Sequence, residues 1–158
     1  MHEQRTFHIQ TSQCRDETGE YILFSGEKDR RNMTTLKPQK TVLVVDDDEN
    51  ILNLLELCLA GRFCIRKARS GEEALRIAKE CCPDLLLLDL MMPKMNGQQV
   101  CRELRTSSGK SATIPVIVLS AKDERSEFIH DPVLRITEYI PKPFDPEELV
   151  LKVSSYLN

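Results

Sequence analysis

Three consecutive carboxylates, Asp46, Asp47 and Asp48, close the apolar run VLVV at residues 42–45. A fourth, Asp89, closes LLLL at 85–88; Ser120 closes VIVL at 116–119, and Lys142 follows EYIP at 138–141. Each alone reads as a solvated strand-end residue or a surface charge. Brought together they have a chemistry. Adjacent carboxylates repel and raise one another's proton affinity unless a cation offsets them. A hard divalent cation such as Mg2+ takes one or two carboxylates together with waters and phosphate oxygens. An ammonium meets the remaining charge and a hydroxyl adds a neutral donor. A free carboxylate in that company is a nucleophile for a phosphoryl group, and its product is an aspartyl phosphate.

The surrounding pattern supplies the elements that bring them together. TVLVV (41–45) is a continuous β-branched run, the mark of a strand buried on both faces. Ile51, Leu54, Leu55, Cys58 and Leu59 follow at helical spacing. FCIRK (63–67) is a second strand, and Ser70-Gly71-Glu72-Glu73 has the form of a capping box opening a helix with Ala74, Leu75 and Ala78. DLLLLDL (84–90) is the third strand, and a helix runs from Gly97, read as a turn residue, through Val100, Cys101 and Leu104. IPVIVLS (114–120) is the fourth strand. A helix over about 123–130 is cut off by Pro132. TEYI (137–140) is the fifth strand. Asp145 caps the last helix, Pro146 takes its first position, and Leu149, Val153, Tyr156 and Leu157 form its apolar face.

Five strands alternating with helices predict an open, doubly wound parallel α/β sheet. In such sheets ligands bind beyond the carboxyl ends of the strands. All of the residues named at the outset fall on that edge.

The rest of the composition sets bounds. The 158 residues carry a formal net charge of −3 and are 41% hydrophobic, with Lys and Arg scattered rather than striped. That pattern predicts no direct nucleic-acid contact. No apolar run is long enough to span a bilayer and the first residues do not form a signal peptide, so a cytoplasmic protein without membrane contact is expected. None of the six cysteines forms a C-x-x-C pair. Cys58, Cys64 and Cys101 fall in apolar patterns and read as buried small hydrophobes in a reducing compartment. Residues 1–40 read as an irregular N-terminal extension; TFHI (6–9) and YILF (21–24) are candidates for a marginal hairpin around DETG (16–19), and GEKDRRN (26–32) reads as a linker. Met33 is an alternative start for the domain at 41–158.

The runs VLVVDDDE, LLLLDLMMPKMNG, IPVIVLSAK and YIPKPFDPEEL resemble the receiver domain of two-component response regulators, the CheY-like family, over the whole of 41–158. The resemblance implies a flavodoxin-like sheet of order 2-1-3-4-5 flanked by five helices. It implies that Asp89 is the phosphoacceptor, and that Asp46, Asp47, Asp89 and the backbone carbonyl of Met91 hold Mg2+, with Mn2+ able to substitute. Asp46 would act mainly through water, and Asp48 has no metal role. Lys142 and Ser120 would contact the phosphoryl oxygens, and Tyr139 would turn inward as Ser120 moves. The Lys142–Pro143 bond is expected to be cis. Met91, Met92 and Met95 are expected to be partly exposed loop packing, with Met91 and Lys122 flanking the site.

The function implied is a switch phosphorylated by a histidine kinase or phosphotransfer protein. It would not be an enzyme beyond catalysing its own phosphorylation and dephosphorylation. Output would pass by contact with a downstream protein, from a monomer or weak dimer, as no output domain follows residue 158. A Mg2+-dependent hydrolase would need a second carboxylate two residues after its nucleophile, where Met91 stands. A dinucleotide enzyme would need a Gly-rich loop after the first strand. A scaffold that is never phosphorylated would not need the full acidic set. One region departs from the family. A Gly-Ala pair usually precedes the fifth strand and ends a long helix; here the pair is Arg135-Ile136. With Pro132, this predicts a short or broken helix and an output surface particular to this chain.

Overall fold

The computed structural model describes residues 14–15, 21–22, 40–121 and 131–157. The chain divides into two compact units, Met1–Pro38 and Gln39–Asn158. In the first, Cys14–Arg15 and Tyr21–Ile22 pair antiparallel. The strand at Tyr21–Ile22 lies within the expected YILF segment, but its partner is Cys14–Arg15. Residues 6–9 and the linker 26–32 lie outside the described residues.

The second unit carries β1 (Thr41–Val45), α1 (Glu49–Leu59), β2 (Cys64–Ala68), α2 (Gly71–Cys81), β3 (Leu85–Asp89) and α3 (Gly97–Thr106). A 3-10 turn (Lys110–Thr113), β4 (Val116–Ala121), β5 (Glu138–Lys142) and α4 (Pro146–Leu157) complete it. The strands form one sheet in the order β2-β1-β3-β4-β5, every neighbouring pair parallel. Sheet order and strand direction are those implied by the resemblance. The expected helix over 123–130 lies outside the described residues. Residues 131–137 are not helical: a turn over 132–134 leads into irregular chain ahead of the last strand.

The alternation of strand side chains divides the core in two. Leu43, Val45, Leu86, Leu88, Val116 and Val118 face one way, against Ala74, Ala78, Val100, Cys101 and Leu104 of α2 and α3. Val42, Val44, Leu85, Leu87, Ile117 and Leu119 face the other way, against Leu52, Leu55 and Leu59 of α1 and Leu149 and Val153 of α4. Burial on both faces is why the central strands read as unbroken apolar runs.

Some expected core positions differ. In α1 the buried face is Leu52, Leu55 and Leu59, while Leu54 is exposed and Cys58 half-buried. Leucine stands at five positions of α1, so spacing alone left its phase open. Cys64 lies on the edge strand β2 and is half-buried, and Tyr156 is exposed; Cys101 is fully buried. Among the described residues no helix is long and apolar enough to cross a membrane.

Candidate functional site

At the end of β1 the three aspartates separate by depth. Asp46 is buried, whereas Asp47 and Asp48 are exposed. Asp48 is the N-cap of α1: its Oδ1 accepts from the Asn50 backbone N–H at 2.8 Å and from Asn50 Nδ2 at 3.0 Å. Its own backbone N–H donates to Asp46 Oδ1 at 2.9 Å. The third carboxylate therefore satisfies a helix end. The sequence carried that signal, an Asp directly ahead of a helical apolar pattern.

Asp89 ends β3 beside β1 and is 5% exposed. One oxygen from each of Asp46, Asp47 and Asp89 lies within 4.8 Å of the other two, close enough to ligate one cation. Lys142, the last residue of β5, closes the group. Its Nζ donates to Asp46 Oδ2 at 2.6 Å and to Asp89 Oδ1 at 3.0 Å. Both Asp46 oxygens are thus engaged by the protein. Burial pushes the Asp89 carboxyl above its ordinary value, and the nearby Asp46 and Asp47 add to this; the bond and charge of Lys142 only partly offset them. For Lys142 burial opposes the charged form, but its bonds to Asp46 and Asp89 outweigh it and raise its proton affinity.

Ser120 lies in β4, next to β5, with no exposure, and its Oγ has no hydrogen-bond partner among the described residues. A buried hydroxyl left unpaired is costly and calls for a missing acceptor. A phosphoryl oxygen fits that donor. Tyr139 is half-buried against the α2–α3 side of the core. The Lys142–Pro143 peptide is cis.

Between β3 and α3 runs the loop Leu90–Asn96. The Met91 side chain is 60% exposed and Met95 is half-buried against the core, as expected of partly exposed loop packing, whereas Met92 is buried at 7%, which corrects the expectation for that residue. Gly97 is more than a turn residue. A Cβ there would lie 2.4 Å from the Asp89 carbonyl oxygen. Lys122 lies outside the described residues.

The departure at 135–136 has a structural answer. Arg135 adopts φ +43, the left-handed conformation that glycine takes readily. Sequence reading also missed Arg105, whose guanidinium donates to the carbonyls of Leu134, Arg135, Ala112 and Ile114. An arginine in a helix carries no signal that its partners are carbonyls of two separate loops, 7 and 9 positions away in one and 29 and 30 in the other.

Known proteins agree with this architecture. The chain is 40% identical over 120 residues to the DNA-binding response regulator MtrA of Mycobacterium tuberculosis (strain ATCC 25618 / H37Rv), covering 75% of this chain and 51% of that protein. It is 39% identical over 119 residues to the alkaline phosphatase synthesis transcriptional regulatory protein PhoP of Bacillus subtilis (strain 168), covering 75% and 48%. The chain thus spans about half the length of the curated relatives it matches. These names correct the expectation that nucleic acid is not a direct partner. Scattered charge within this chain says nothing about the half of such proteins that it does not span. Among solved structures, a putative response regulator from Chloroflexus aurantiacus J-10-fl superposes with TM-score 0.69 at 37% identity, covering 77% of this chain and 98% of that one. The Vibrio cholerae chemotaxis protein CheY4 gives 0.68 at 27% identity, covering 75% and 98%. Such relatives are signalling regulators rather than classical enzymes. Residues 42–154 match the response regulator receiver domain, and the chain belongs to that family.

Proposed function

We propose that this protein is a switch driven by phosphorylation of Asp89, with a histidine kinase or a phosphotransfer protein as donor. The observation that carries this reading is one buried carboxylate surrounded by the parts of a phosphoryl site. Asp46 and Asp47 lie within cation-sharing distance, Lys142 Nζ is 3.0 Å away, and the Ser120 hydroxyl is buried without a hydrogen-bond partner among the described residues. Receiver domains as a family serve two-component phosphoryl transfer.

Asp89 attacks the phosphorus of a phosphohistidine. The new bond is P–Oδ of Asp89; the bond broken is P–N, and the imidazole leaves with the electron pair and takes up a proton. Asp47, Asp89 and the Met91 carbonyl would hold Mg2+, or Mn2+ in its place, with Asp46 acting through water because both of its oxygens are engaged. The cation offsets the charge shared by the carboxylates and the phosphoryl oxygens. Lys142 releases Asp89 Oδ1 and follows the phosphoryl oxygens, while Ser120 donates its hydroxyl to one of them. Water hydrolyses the acyl phosphate and returns Asp89, so the only catalysis is on the protein itself. Phosphorylation adds charge near −2 and three strong acceptors. Movement of Ser120, followed by Tyr139, shifts a two-state equilibrium rather than creating a new fold.

The test is intact mass after incubation with Mg2+ and acetyl phosphate, beside Asp89→Asn. One added phosphoryl group on the wild type and none on the variant is the expected result. Addition to both, or to neither while a beryllofluoride complex also fails to form, would overturn the reading.

A further inference from the structure

We propose that Gly97 is a positioning residue for the phosphoacceptor: its missing side chain lets the start of α3 close on the Asp89 backbone and fixes where that carboxylate stands. The inference rests on Asp89 being the residue phosphorylated.

An ideal Cβ at Gly97 would meet the Asp89 carbonyl oxygen at 2.4 Å, Leu90 Cα at 3.0 Å and the Asp89 carbonyl carbon at 3.2 Å. All three are backbone atoms, so no side chain can rotate away. The Gly97 N–H donates to the Leu90 carbonyl at 3.0 Å and pins the loop Leu90–Asn96 at its two ends. Backbone conformation does not demand glycine here. Gly97 is the first residue of α3 and has no left-handed φ. Alanine is a better helix former than glycine, so helix formation does not ask for glycine here either. Close approach is what remains to require it.

Nor can α3 easily give way. Asn96 Oδ1 accepts from the Gln99 N–H at 2.9 Å, and Gln99 Oε1 accepts from the Asn96 N–H at 3.0 Å. Val100, Cys101 and Leu104 are buried beneath it. An added methyl therefore displaces Asp89 and Leu90, not the helix. Asp89 Oδ1 then leaves the 3.0 Å contact with Lys142 and the cluster with Asp46 and Asp47. A misplacement of about 1 Å in a reacting group can cost on the order of a hundredfold in rate.

Gly71 supplies the control. A Cβ there would also be crowded, at 2.7 Å from Met95 Cγ, 2.8 Å from Met95 Sδ and 2.8 Å from Val100 Cγ2. These are side-chain atoms, and methionine adapts. Gly71→Ala should lower the melting temperature and spare the site.

The experiment measures phosphorylation rate with acetyl phosphate, Mg2+ affinity by calorimetry, and far-UV circular dichroism for wild type, Gly97→Ala and Gly71→Ala. Gly97→Ala should keep its circular dichroism and lose at least about tenfold in both rate and Mg2+ affinity, with Gly71→Ala near wild type in both. Gly97→Ala matching wild type in both, or Gly71→Ala losing as much, overturns the proposal. A wild type that is neither phosphorylated nor forms a beryllofluoride complex would instead sink the phosphoacceptor reading, and the two Mg2+ affinities would still decide the role of Gly97. If Gly97→Ala does not fold, hydrogen exchange in the wild type decides. The Gly97 amide should gain protection when Mg2+ and beryllofluoride load the site, and unchanged protection overturns the proposal.

Discussion

Arg105 Nε donates to the carbonyl oxygen of Leu134 at 3.0 Å, tying α3 to the segment that leads into β5. The same guanidinium reaches the carbonyls of Arg135 at 3.1 Å, Ala112 at 3.1 Å and Ile114 at 2.9 Å. Four carbonyls of two loops, one ahead of β4 and one ahead of β5, converge on one planar fork. Both loops start strands that deliver site residues, Ser120 and Lys142.

Arg105→Ala should therefore cost about 2–4 kcal/mol in urea unfolding, since bonds to a charged donor are worth about 1.5–3 kcal/mol each and water will replace some of them. Arg105→Lys should recover less than half, because an ammonium keeps the charge but not the fork. Equal stability of the Lys variant and the wild type would show that charge alone matters.

At Arg135 the backbone has φ +43. An L-residue in that region costs about 1–2 kcal/mol. Glycine avoids this cost but loses about 0.5–1 kcal/mol more in chain entropy. Arg135→Gly should thus raise stability by about 0.5–1 kcal/mol on balance. Arg135→Ala should gain nothing, and Ile136→Ala should lose stability, because Ile136 packs against the core. A chemical-denaturation series of the three variants checks the order.

The sheet was readable because burial on both faces leaves a plain mark, as in TVLVV and LLLL. The site was readable because Asp46, Asp89, Ser120 and Lys142 all stand at the carboxyl ends of strands, and topology brings such ends together. Asp48 was readable in principle through its capping position. Gly97 and Arg105 were not readable in the same way. The value of Gly97 is space against the Asp89 backbone, and that of Arg105 is reach to the carbonyls of two separate loops at once. Both are properties of packing, which spacing does not encode. The phase of α1 was lost for the opposite reason: too many leucines fit more than one face.

Asp89 gives a pH prediction for the metal-free protein. Burial holds its carboxyl above the ordinary 3.8, with Lys142 opposing the shift incompletely. The folded chain binds this proton more tightly than the unfolded one. Its contribution to stability is complete below about pH 4 and is lost as pH rises through the raised folded value. Asp89→Asn removes the term. Without Mg2+ the variant should melt higher than wild type at neutral pH, and the gap should close toward about pH 4. Mg2+ should raise the wild type much more than the variant, because it binds the folded acidic cluster. A variant that melts lower at neutral pH without metal would refute the assignment.

The three adjacent aspartates at the end of β1 should part company under mutation. Asp48 caps α1 through two bonds from Asn50 and lies outside the group of oxygens that can share a cation. Asp48→Ala should cost about 1 kcal/mol and leave Mg2+ affinity unchanged. Asp48→Asn keeps the acceptor oxygen without the charge, so its stability should be close to wild type. Asp47 is exposed and belongs to the cation-sharing group. Asp47→Ala should leave metal-free stability unchanged or raise it, by relieving repulsion, and should weaken Mg2+ binding strongly. Thermal melts and Mg2+ titrations on the three variants measure both quantities. If Asp48→Ala weakens Mg2+ as much as Asp47→Ala, the division of labour is wrong. If it does not, repulsion along the run is tolerated because only two of the three charges share a cation, while the third is spent on a helix end.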